Sequence, residues 1–252
     1  MRTVPVNNFR DVSGYRNADG QTMKKNRIFR GASLDHLTQE DARYLYEELG
    51  IKYILDYRDE KEATAKQDVL CEGMEYLRIS ALKVSGESQG FDFGELLRRE
   101  MTKDHLLFIK EYLLDGYRHM PFDNPAYHRL FELLLRNDGN IYFHCSAGKD
   151  RTGISAFLIM LALDMSEEDA IEEYLLSNKL LEGFVREFYK GHPVAPELRE
   201  YSDSVLCVTR ENIQTSIDAI KAKYETYQEF LEKEYGIDAE KRAALKAIYC
   251  KG

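Results

Sequence analysis

Short apolar segments alternate along this chain with longer segments in which apolar residues recur every three or four positions. Residues 51–56 are rich in β-branched and aromatic side chains and follow Gly50 directly, which predicts a buried strand. Residues 74–79 alternate between apolar and polar side chains, and segments 27–30 and 141–144 are short with an apolar centre, so each predicts a further strand. Strands that alternate with helices indicate an α/β fold with a central, largely parallel sheet flanked by helices.

Helices are predicted between and after these strands. Thr38, followed three positions later by Asp41, is typical of a helix N-cap. The run that follows Thr152, GISAFLIMLAL, is apolar throughout, which predicts a helix buried on all sides. The C-terminal part of the chain is predicted to be helical as well, with breaks near His192 and Gly236. The other segments with a helical pattern are residues 93–118, residues 126–136 and the stretch that begins at Ser166.

The composition is that of a globular protein with one large domain over residues 1–252. Hydrophobic residues make up 44% of the chain and charged residues 31%, which is enough apolar material for a buried core. The formal net charge of −9 repels polyanions, so nucleic acid is not expected as a partner and membrane contact is expected to be transient at most. The N-terminal residues lack an apolar signal-peptide core, which favours a cytoplasmic location and leaves export open. The oligomeric state is left open as well.

The spacing of cysteine and histidine argues against a metal centre. The cysteines are widely scattered, without a CxxC pair or a Cys/His cluster, which predicts free thiols rather than a zinc site or a disulfide framework. The six histidines form no pair at ligand spacing on one predicted element. Neither a metal nor another cofactor is therefore expected. The cysteines are Cys71, Cys145, Cys207 and Cys250.

One loop carries the candidate chemistry, the segment HCSAGKDRTG at residues 144–153. A cysteine and an arginine separated by five residues are weak evidence alone, because such a pair arises easily by chance. Here, however, Cys145 ends an apolar strand, Gly148 lies in mid-loop, and a buried helix begins directly after Arg151. A nucleotide-binding Walker loop is excluded, because this chain has a phenylalanine and an aspartate where that motif requires glycine and serine or threonine.

The chemistry of anion binding and of a reactive thiol explains why each of these residue types is found in the loop. A loop that runs from a strand into a helix N-terminus directs several backbone N–H groups inward, where they bind a tetrahedral anion. The same dipoles are expected to lower the pKa of the Cys145 thiol, and Arg151 offers a planar fork to two phosphate oxygens. Thr152 is expected to hydrogen-bond the sulfur and assist its departure, and His144 to position the loop. The predicted phosphate-binding residues are Ser146, Ala147, Gly148, Lys149, Asp150 and Arg151.

The segment HCSAGKDRTG resembles the signature of the Cys-x5-Arg protein tyrosine phosphatases. Its Gly-Lys-Asp-Arg-Thr variant is similar to a bacterial and fungal branch of tyrosine and dual- or triple-specificity phosphatases, some of which also act on phosphoinositides. The resemblance covers most of the chain, residues 83–125 being the least matched, and implies the protein tyrosine phosphatase fold. Ser13 departs from the branch, because a glycine is usual at that position. The other segments that resemble its motifs are residues 8–11 with Gly14, residues 30–34, residues 54–58 with Glu62, and residues 174–178.

Two aspartates are candidates for the acid that protonates the leaving oxygen. Asp56 ends a predicted strand, where parallel sheets place their active residues, and the resemblance also implies it as an acid candidate. Asp150 lies within the loop, and the resemblance implies the same role for it. We favour Asp56, while leaving open that Asp56 instead pairs with Arg58 or caps a helix, and that Asp150 holds the loop geometry.

The sequence therefore predicts a phosphatase that hydrolyses phosphate monoesters through a cysteinyl-phosphate intermediate, with phosphotyrosine the first expected substrate and phosphoserine or phosphothreonine next. An alternative is a phosphoinositide or inositol phosphate phosphatase, since Lys149 at the pocket mouth is able to contact a second phosphate. The other interpretation of Lys149 is an exposed lysine that supports the loop. A phosphate-binding module without catalysis is the non-enzyme alternative. Residues 91–118 are interpreted either as a lid over the pocket or as an ordinary packed helix.

Overall fold

A five-stranded sheet forms the centre of the fold. The computed structural model of the protein describes residues 2–86 and 102–252. The strands are β1 (Arg10–Asp11), β2 (Thr22–Met23), β3 (Ile28–Gly31), β4 (Ile51–Asp56), β5 (Glu75–Arg78), β6 (Asn140–His144) and β7 (Cys250–Lys251). The central sheet has the order β1–β3–β6–β4–β5, in which β3, β6, β4 and β5 are parallel and β1 is antiparallel. A second small sheet pairs β2 with β7.

Helices surround the sheet. Within the described residues they are α1 (Gln39–Glu47), α2 (Glu60–Ala65), α3 (Lys103–His119), α4 (Pro125–Arg136), α5 (Arg151–Ala162), α6 (Glu167–Leu180), α7 (Glu182–Gly191), α8 (Arg199–Leu206), α9 (Arg210–Lys223), α10 (Tyr227–Tyr235) and α11 (Ala239–Tyr249). Over the same residues, no helix has both the length and the apolar composition needed to span a bilayer. The mixed α/β class with a largely parallel sheet and a helical C-terminal part is confirmed.

The carboxyl ends of three parallel strands meet at one edge of the sheet. His144, the last residue of β6, lies opposite Gly31 of β3 and Asp56 of β4. Because β6 occupies the middle of the sheet, the loop that follows His144 begins between the ends of its two neighbours. The topology therefore fixes where the candidate chemistry is located.

Both faces of the sheet are covered, as its apolar strands require. On one face, Leu45 and Leu49 pack in one cluster with Ile54 of β4. On the other face α4 and α5 contribute to the larger core cluster. Every residue of α5 from Thr152 to Ala162 is buried, which confirms the helix predicted from the apolar run.

The longer elements predicted from the sequence are confirmed, and short ones were missed. Thr38 is the N-cap of α1 and forms a capping box with Asp41, and the four predicted strands correspond to β3, β4, β5 and β6. The sequence pattern did not predict β1, β2, β7 or α2. Strands of two residues and a helix of six are too short to establish a period of hydrophobic positions.

The helix predicted over residues 93–118 corresponds in part to α3. Leu106 and Ile109 of α3 are buried and cluster with Val205 of α8, and α3 also contacts α9. Residues 103–118 therefore pack as an ordinary helix, and a role for them as a lid stays a prediction. Residues 87–101, and the part of the lid interpretation that depends on them, lie outside the described residues.

Candidate active site

The segment of residues 145–150, termed the phosphate loop below, joins β6 to α5. Cys145 follows the last residue of β6, and Arg151 is the first residue of α5. The Cys145 side chain is almost fully buried, with 3% of the residue exposed. The fold thus places a thiol and a helix N-terminus together at the carboxyl edge of the sheet.

Four successive carbonyl groups of the phosphate loop are held by donors outside it. The pairs are the Cys145 carbonyl with His144 Nδ1 (3.1 Å), the Ser146 carbonyl with the Ser33 N–H (3.3 Å), and the Ala147 and Gly148 carbonyls with Asn8 Nδ2 (3.3 and 2.7 Å). Because the C=O and N–H of a trans peptide unit point in opposite directions, the N–H groups of residues 146–149 are directed to the other side, into the loop. They form a cup of donors suited to a tetrahedral anion.

Gly148 permits the sharp turn of this loop. Its φ of +67° lies in the left-handed region, which glycine adopts without a steric penalty. A Cβ at this position would stand 2.0 Å from the carbonyl oxygen of Gly31. The loop therefore packs directly on the end of β3, and a side chain at position 148 would displace it.

A buried set of ion pairs supports the loop from behind. Arg30 of β3 is fully buried, donates to the Gly148 carbonyl at 2.7 Å and pairs with Glu173 of α6 at 2.6 Å. Glu173 also pairs with Arg10 at 2.6 Å. Burial raises the pKa of Glu173, but the charges of Arg30 and Arg10 lower it more, so the pKa lies below its ordinary value. The carboxylate stays ionised and fixes Arg30 against the loop.

Arg151 has a partner on α2. Its Nη1 and Nη2 donate to the two carboxylate oxygens of Glu62, at 2.5 and 2.8 Å, in a bidentate pair. Ser146 Oγ donates to the same carboxylate at 2.7 Å. Burial raises the pKa of Glu62, but the charge and hydrogen bonds of Arg151 lower it more, to about 2. Glu62 is therefore an anion that orients the guanidinium, a function that the sequence alone did not predict for it.

The Cys145 thiol has a pKa below its ordinary value. Burial by itself raises this pKa, but the charge of Arg151 and the hydrogen bonds of Thr152 to the sulfur lower it more. Thr152 Oγ1 is buried and has no other partner among the described residues, so its hydroxyl remains available to the sulfur. Burial raises the pKa of each of the other three cysteines. Cys145 is thus the cysteine whose environment favours a thiolate.

Asp56, the expected proton donor, does not border the site. It is fully buried at the end of β4, and its carboxylate accepts from Arg58 Nε and Nη2, at 2.9 and 2.8 Å, and from Tyr76 Oη at 2.6 Å. Burial raises the pKa of Asp56, but His144 and Arg58 lower it more, to about 2. A carboxylate ionised and surrounded in this way is unsuited to donate a proton. The alternative interpretation, in which Asp56 pairs with Arg58, describes the observed geometry.

A second buried carboxylate joins this group behind the loop. Asp68 Oδ2 lies 3.1 Å from His144 Nε2 and 2.7 Å from Arg58 Nη2. Burial lowers the pKa of His144, but Asp68 and Asp56 raise it more, so the pKa lies above its ordinary value. These two aspartates and the histidine are metal-ligand types, yet Arg58 Nη2 already donates to one oxygen of each carboxylate. The group therefore holds the imidazole of His144 against the loop.

Lys149 is buried, so its interpretation as an exposed lysine is wrong, although the residue does line the cavity over the phosphate loop. Its Nζ donates to the carbonyls of Val205 and Leu206 at the end of α8, at 2.7 and 3.0 Å. The carbonyls at a helix C-terminus carry partial negative charge and attract a cation. Lys149 therefore ties the phosphate loop to α8.

Asp150 differs from Asp56 in its surroundings. Tyr117 Oη donates to Asp150 Oδ1 at 2.6 Å, and 16% of the Asp150 side chain is exposed. Of the two candidate acids, Asp150 lines the cavity that also contains Cys145, and Asp56 does not.

This cavity, of about 460 Å³, opens over the phosphate loop. Cys145, Arg151 and the loop residues between them, apart from Gly148, contribute to its lining. Lys61 and Lys66 of the α2 region provide cationic side chains at its border. The remaining wall is largely apolar and includes Leu113, Met120, Phe184, Phe188, Val205 and Leu206. When the anionic group of a ligand binds at the loop, the rest of that ligand would therefore contact an apolar surface.

Comparison with known proteins gives matches along nearly the whole chain. A sequence model described as the tyrosine phosphatase family matches residues 2–251. The chain is 24% identical over 250 residues to a putative tyrosine-protein phosphatase of Cupriavidus necator, a match that covers 98% of this chain and 87% of that one. It is 25% identical over 245 residues to a triple specificity protein phosphatase of Mycobacterium tuberculosis, covering 86% and 87%. A crystal structure of PTPMT1 matches with a TM-score of 0.38 at 13% identity, covering 82% and 94%.

The ion pairs behind the loop lead to a stability prediction. Glu173→Gln leaves the buried Arg30 and the partly buried Arg10 without their anion, so we expect the free energy of unfolding to fall by about 3 to 5 kcal/mol at pH 7. Because the pKa of Glu173 is lowered in the folded state, its contribution is complete above the unfolded pKa and is lost as the pH falls below it. The difference in the free energy of unfolding between the wild type and Glu173→Gln, measured by urea denaturation, should therefore become smaller at acid pH.

Glu172→Gln is the matched control, because Glu172 is the exposed neighbour on the same helix. It should change the unfolding free energy by no more than about 0.5 kcal/mol. Equal effects of the two substitutions would contradict a supporting role for Glu173.

Proposed function

Because this chain belongs to the tyrosine phosphatase family, we propose that it hydrolyses phosphate monoesters through a cysteinyl-phosphate intermediate on Cys145. The family match confirms the resemblance and the enzyme class expected from the sequence. The observation that carries the proposal is the cup of inward N–H groups at residues 146–149, bordered by a thiol of lowered pKa and by the Arg151 guanidinium.

In the first step, the Cys145 thiolate attacks phosphorus, an S–P bond forms, and the P–O bond to the leaving group breaks. Negative charge grows on the equatorial oxygens, where the loop N–H groups and the remaining N–H groups of Arg151 stabilise it. Glu62 holds the guanidinium in place before the substrate arrives, so little reorganisation is needed. A single donor of this kind typically contributes roughly 10²- to 10³-fold to kcat.

We assign the proton donor for the leaving oxygen to Asp150. It borders the cavity, whereas Asp56 is enclosed by Arg58 and Tyr76. Glu62 also borders the cavity, but Arg151 holds it as an anion. General acid catalysis by a positioned carboxyl group is worth about 10²- to 10⁴-fold.

In the second step, water attacks the phosphorus of the intermediate and the S–P bond breaks. Asp150, now a carboxylate, accepts the proton of the water molecule. The sulfur departs as a thiolate, which the Thr152 hydroxyl and the charge of Arg151 stabilise as they do in the free protein. Phosphate is released and the thiolate is restored.

The apolar wall of the cavity supports phosphotyrosine as the substrate. An aryl ring next to the phosphate would contact Leu113, Met120, Phe184 or Phe188. Burial of an aromatic ring contributes favourably to binding, and the phosphate alone would leave this surface exposed to water. Phosphoserine and phosphothreonine have less apolar surface and should bind more weakly.

A phosphoinositide substrate is the second candidate. Lys66 borders the same cavity and would offer charge to a second phosphate. Lys149 supports this candidate less than expected, because its Nζ already donates to two carbonyls.

The test is a substrate panel with the wild-type protein and Cys145→Ser, each measured with and without a chelator. We expect the highest kcat/KM for tyrosine-phosphorylated peptides, no effect of the chelator, and loss of turnover in Cys145→Ser with phosphate binding retained. A higher kcat/KM on doubly phosphorylated inositol lipids would favour the second candidate. Phosphate binding without turnover in the wild type would indicate the phosphate-binding module.

Asp150→Asn and Asp56→Asn distinguish the two candidate acids. If Asp150 protonates the leaving oxygen, Asp150→Asn should lower kcat/KM by about 10²-fold or more for an alkyl phosphate and much less for an activated aryl phosphate. Asp56→Asn removes one of the two carboxylate partners of Arg58, so we expect lower stability and a loss that is similar for both substrates. A selective loss in Asp56→Asn and none in Asp150→Asn would reverse the assignment.

A further inference from the structure

Asp150 occupies the N-cap position of α5 without capping it. An aspartate at this position ordinarily accepts a hydrogen bond from the backbone N–H two or three residues later. The Asp150 side chain makes no such bond, and its backbone has φ −80° and ψ −77° rather than an extended conformation. Some contact other than the helix terminus must therefore orient the carboxylate.

That contact is the hydroxyl of Tyr117. Tyr117 lies on α3, is fully buried, and its Oη donates to Asp150 Oδ1 at 2.6 Å. Its Oη also lies 2.6 Å from Tyr174 Oη. A phenol has one hydrogen, so if Tyr117 donates to Asp150, Tyr174 donates to Tyr117. A chain of two donors thus ends on one oxygen of the carboxylate.

Packing fixes this chain in place. The rings of Tyr117 and Tyr174 meet edge to face, with centroids 6.2 Å apart. Tyr174 is fully buried against Gly153, where a Cβ would approach its ring to 2.7 Å. On the other side, Ser216 Oγ donates to the Tyr117 carbonyl at 2.5 Å. Burial raises the pKa of both tyrosines well above the ordinary value, so both remain protonated donors.

We propose that Tyr117 is a positioning residue that aims the Asp150 carboxyl group at the leaving oxygen, with Tyr174 keeping Tyr117 oriented as a donor. This inference rests on the proposed role of Asp150 as the acid. Since the Tyr117 hydroxyl occupies Oδ1, Oδ2 is the oxygen that carries the proton to the substrate. Oδ2 lies 3.7 Å from Lys149 Nζ, whose hydrogen bonds go to the carbonyls of Val205 and Leu206.

The test compares Tyr117→Phe with the wild type on an alkyl phosphate and on an activated aryl phosphate of low leaving-group pKa. We expect kcat/KM for the alkyl phosphate to fall roughly 10-fold, the order expected for loss of one hydrogen bond. For the activated aryl phosphate, whose leaving group departs without protonation, the change should be about 2-fold or less. Tyr174→Phe should give a smaller selective loss, because Tyr117 keeps its bond to Asp150.

Tyr249→Phe is the matched control. Tyr249 is also buried, and its hydroxyl donates to the Leu134 carbonyl at 2.9 Å, in a part of the core outside the cavity. Its removal should lower stability to a similar degree without changing the ratio of kcat/KM between the two substrates. A loss of equal size on both substrates in Tyr117→Phe would show a purely structural role and overturn the proposal.

The Asp150→Asn and Tyr117→Phe variants distinguish the acid role of Asp150 from the positioning role of Tyr117. If Asp150→Asn shows the selective loss and Tyr117→Phe does not, Asp150 is the acid and Tyr117 does not position it. If Asp150→Asn shows no selective loss, the acid assignment is wrong and the inference falls with it. If both are selective, the double variant should be no more selective than Asp150→Asn alone.

Discussion

A sulfur anion that is almost fully buried has to be stabilised by its surroundings, because an unpaired charge in a protein interior costs several kcal/mol. At Cys145, that stabilisation comes from the guanidinium of Arg151, the hydroxyl and N–H of Thr152, and the backbone dipoles at the start of α5. The same groups are those that an anionic phosphate would meet. The arrangement that keeps the thiolate therefore also forms the binding site for its substrate.

The stabilising groups are themselves held by a second set of charges. Glu62 holds Arg151, and Glu173 holds Arg30, which in turn holds the carbonyl of Gly148. The positive and negative charges in these contacts alternate outward from the sulfur, and each buried ion has a partner of opposite sign. This alternation holds the cup of N–H donors rigid before a substrate binds, and donors that are already oriented stabilise a transition state most effectively.

The sequence predicted those parts of the site that lie close together along the chain. Cys145 and Arg151 could be assigned because the strand, loop and helix that position them are contiguous, and the long elements had clear hydrophobic periods. The burial of Lys149 could not be foreseen, because the carbonyls that bind it belong to α8, more than fifty residues away.

The sequence also did not predict which residues form ion pairs with the charged side chains of the site. Asp56 lies at the end of a parallel strand, a position typical of active-site residues. In the structure, however, it forms a buried ion pair with Arg58. Glu62 was recognised as part of a motif, but its contact with Arg151 depends on how a six-residue helix packs. The sequence did not indicate a role for Glu173 or Tyr117, because a glutamate on an amphipathic helix is ordinarily a solvated residue and a tyrosine is ordinarily a core residue.

The most direct test of the central claim is the rate of Cys145 alkylation by iodoacetate as a function of pH, followed by peptide mass spectrometry. The lowered pKa predicts that Cys145 reacts at a lower pH than Cys71 in the same protein, whose pKa is raised by burial. Added inorganic phosphate should slow the reaction at Cys145 and leave Cys71 unaffected. A Cys145 that reacts only at the pH of an ordinary thiol, or that phosphate fails to protect, would contradict the account.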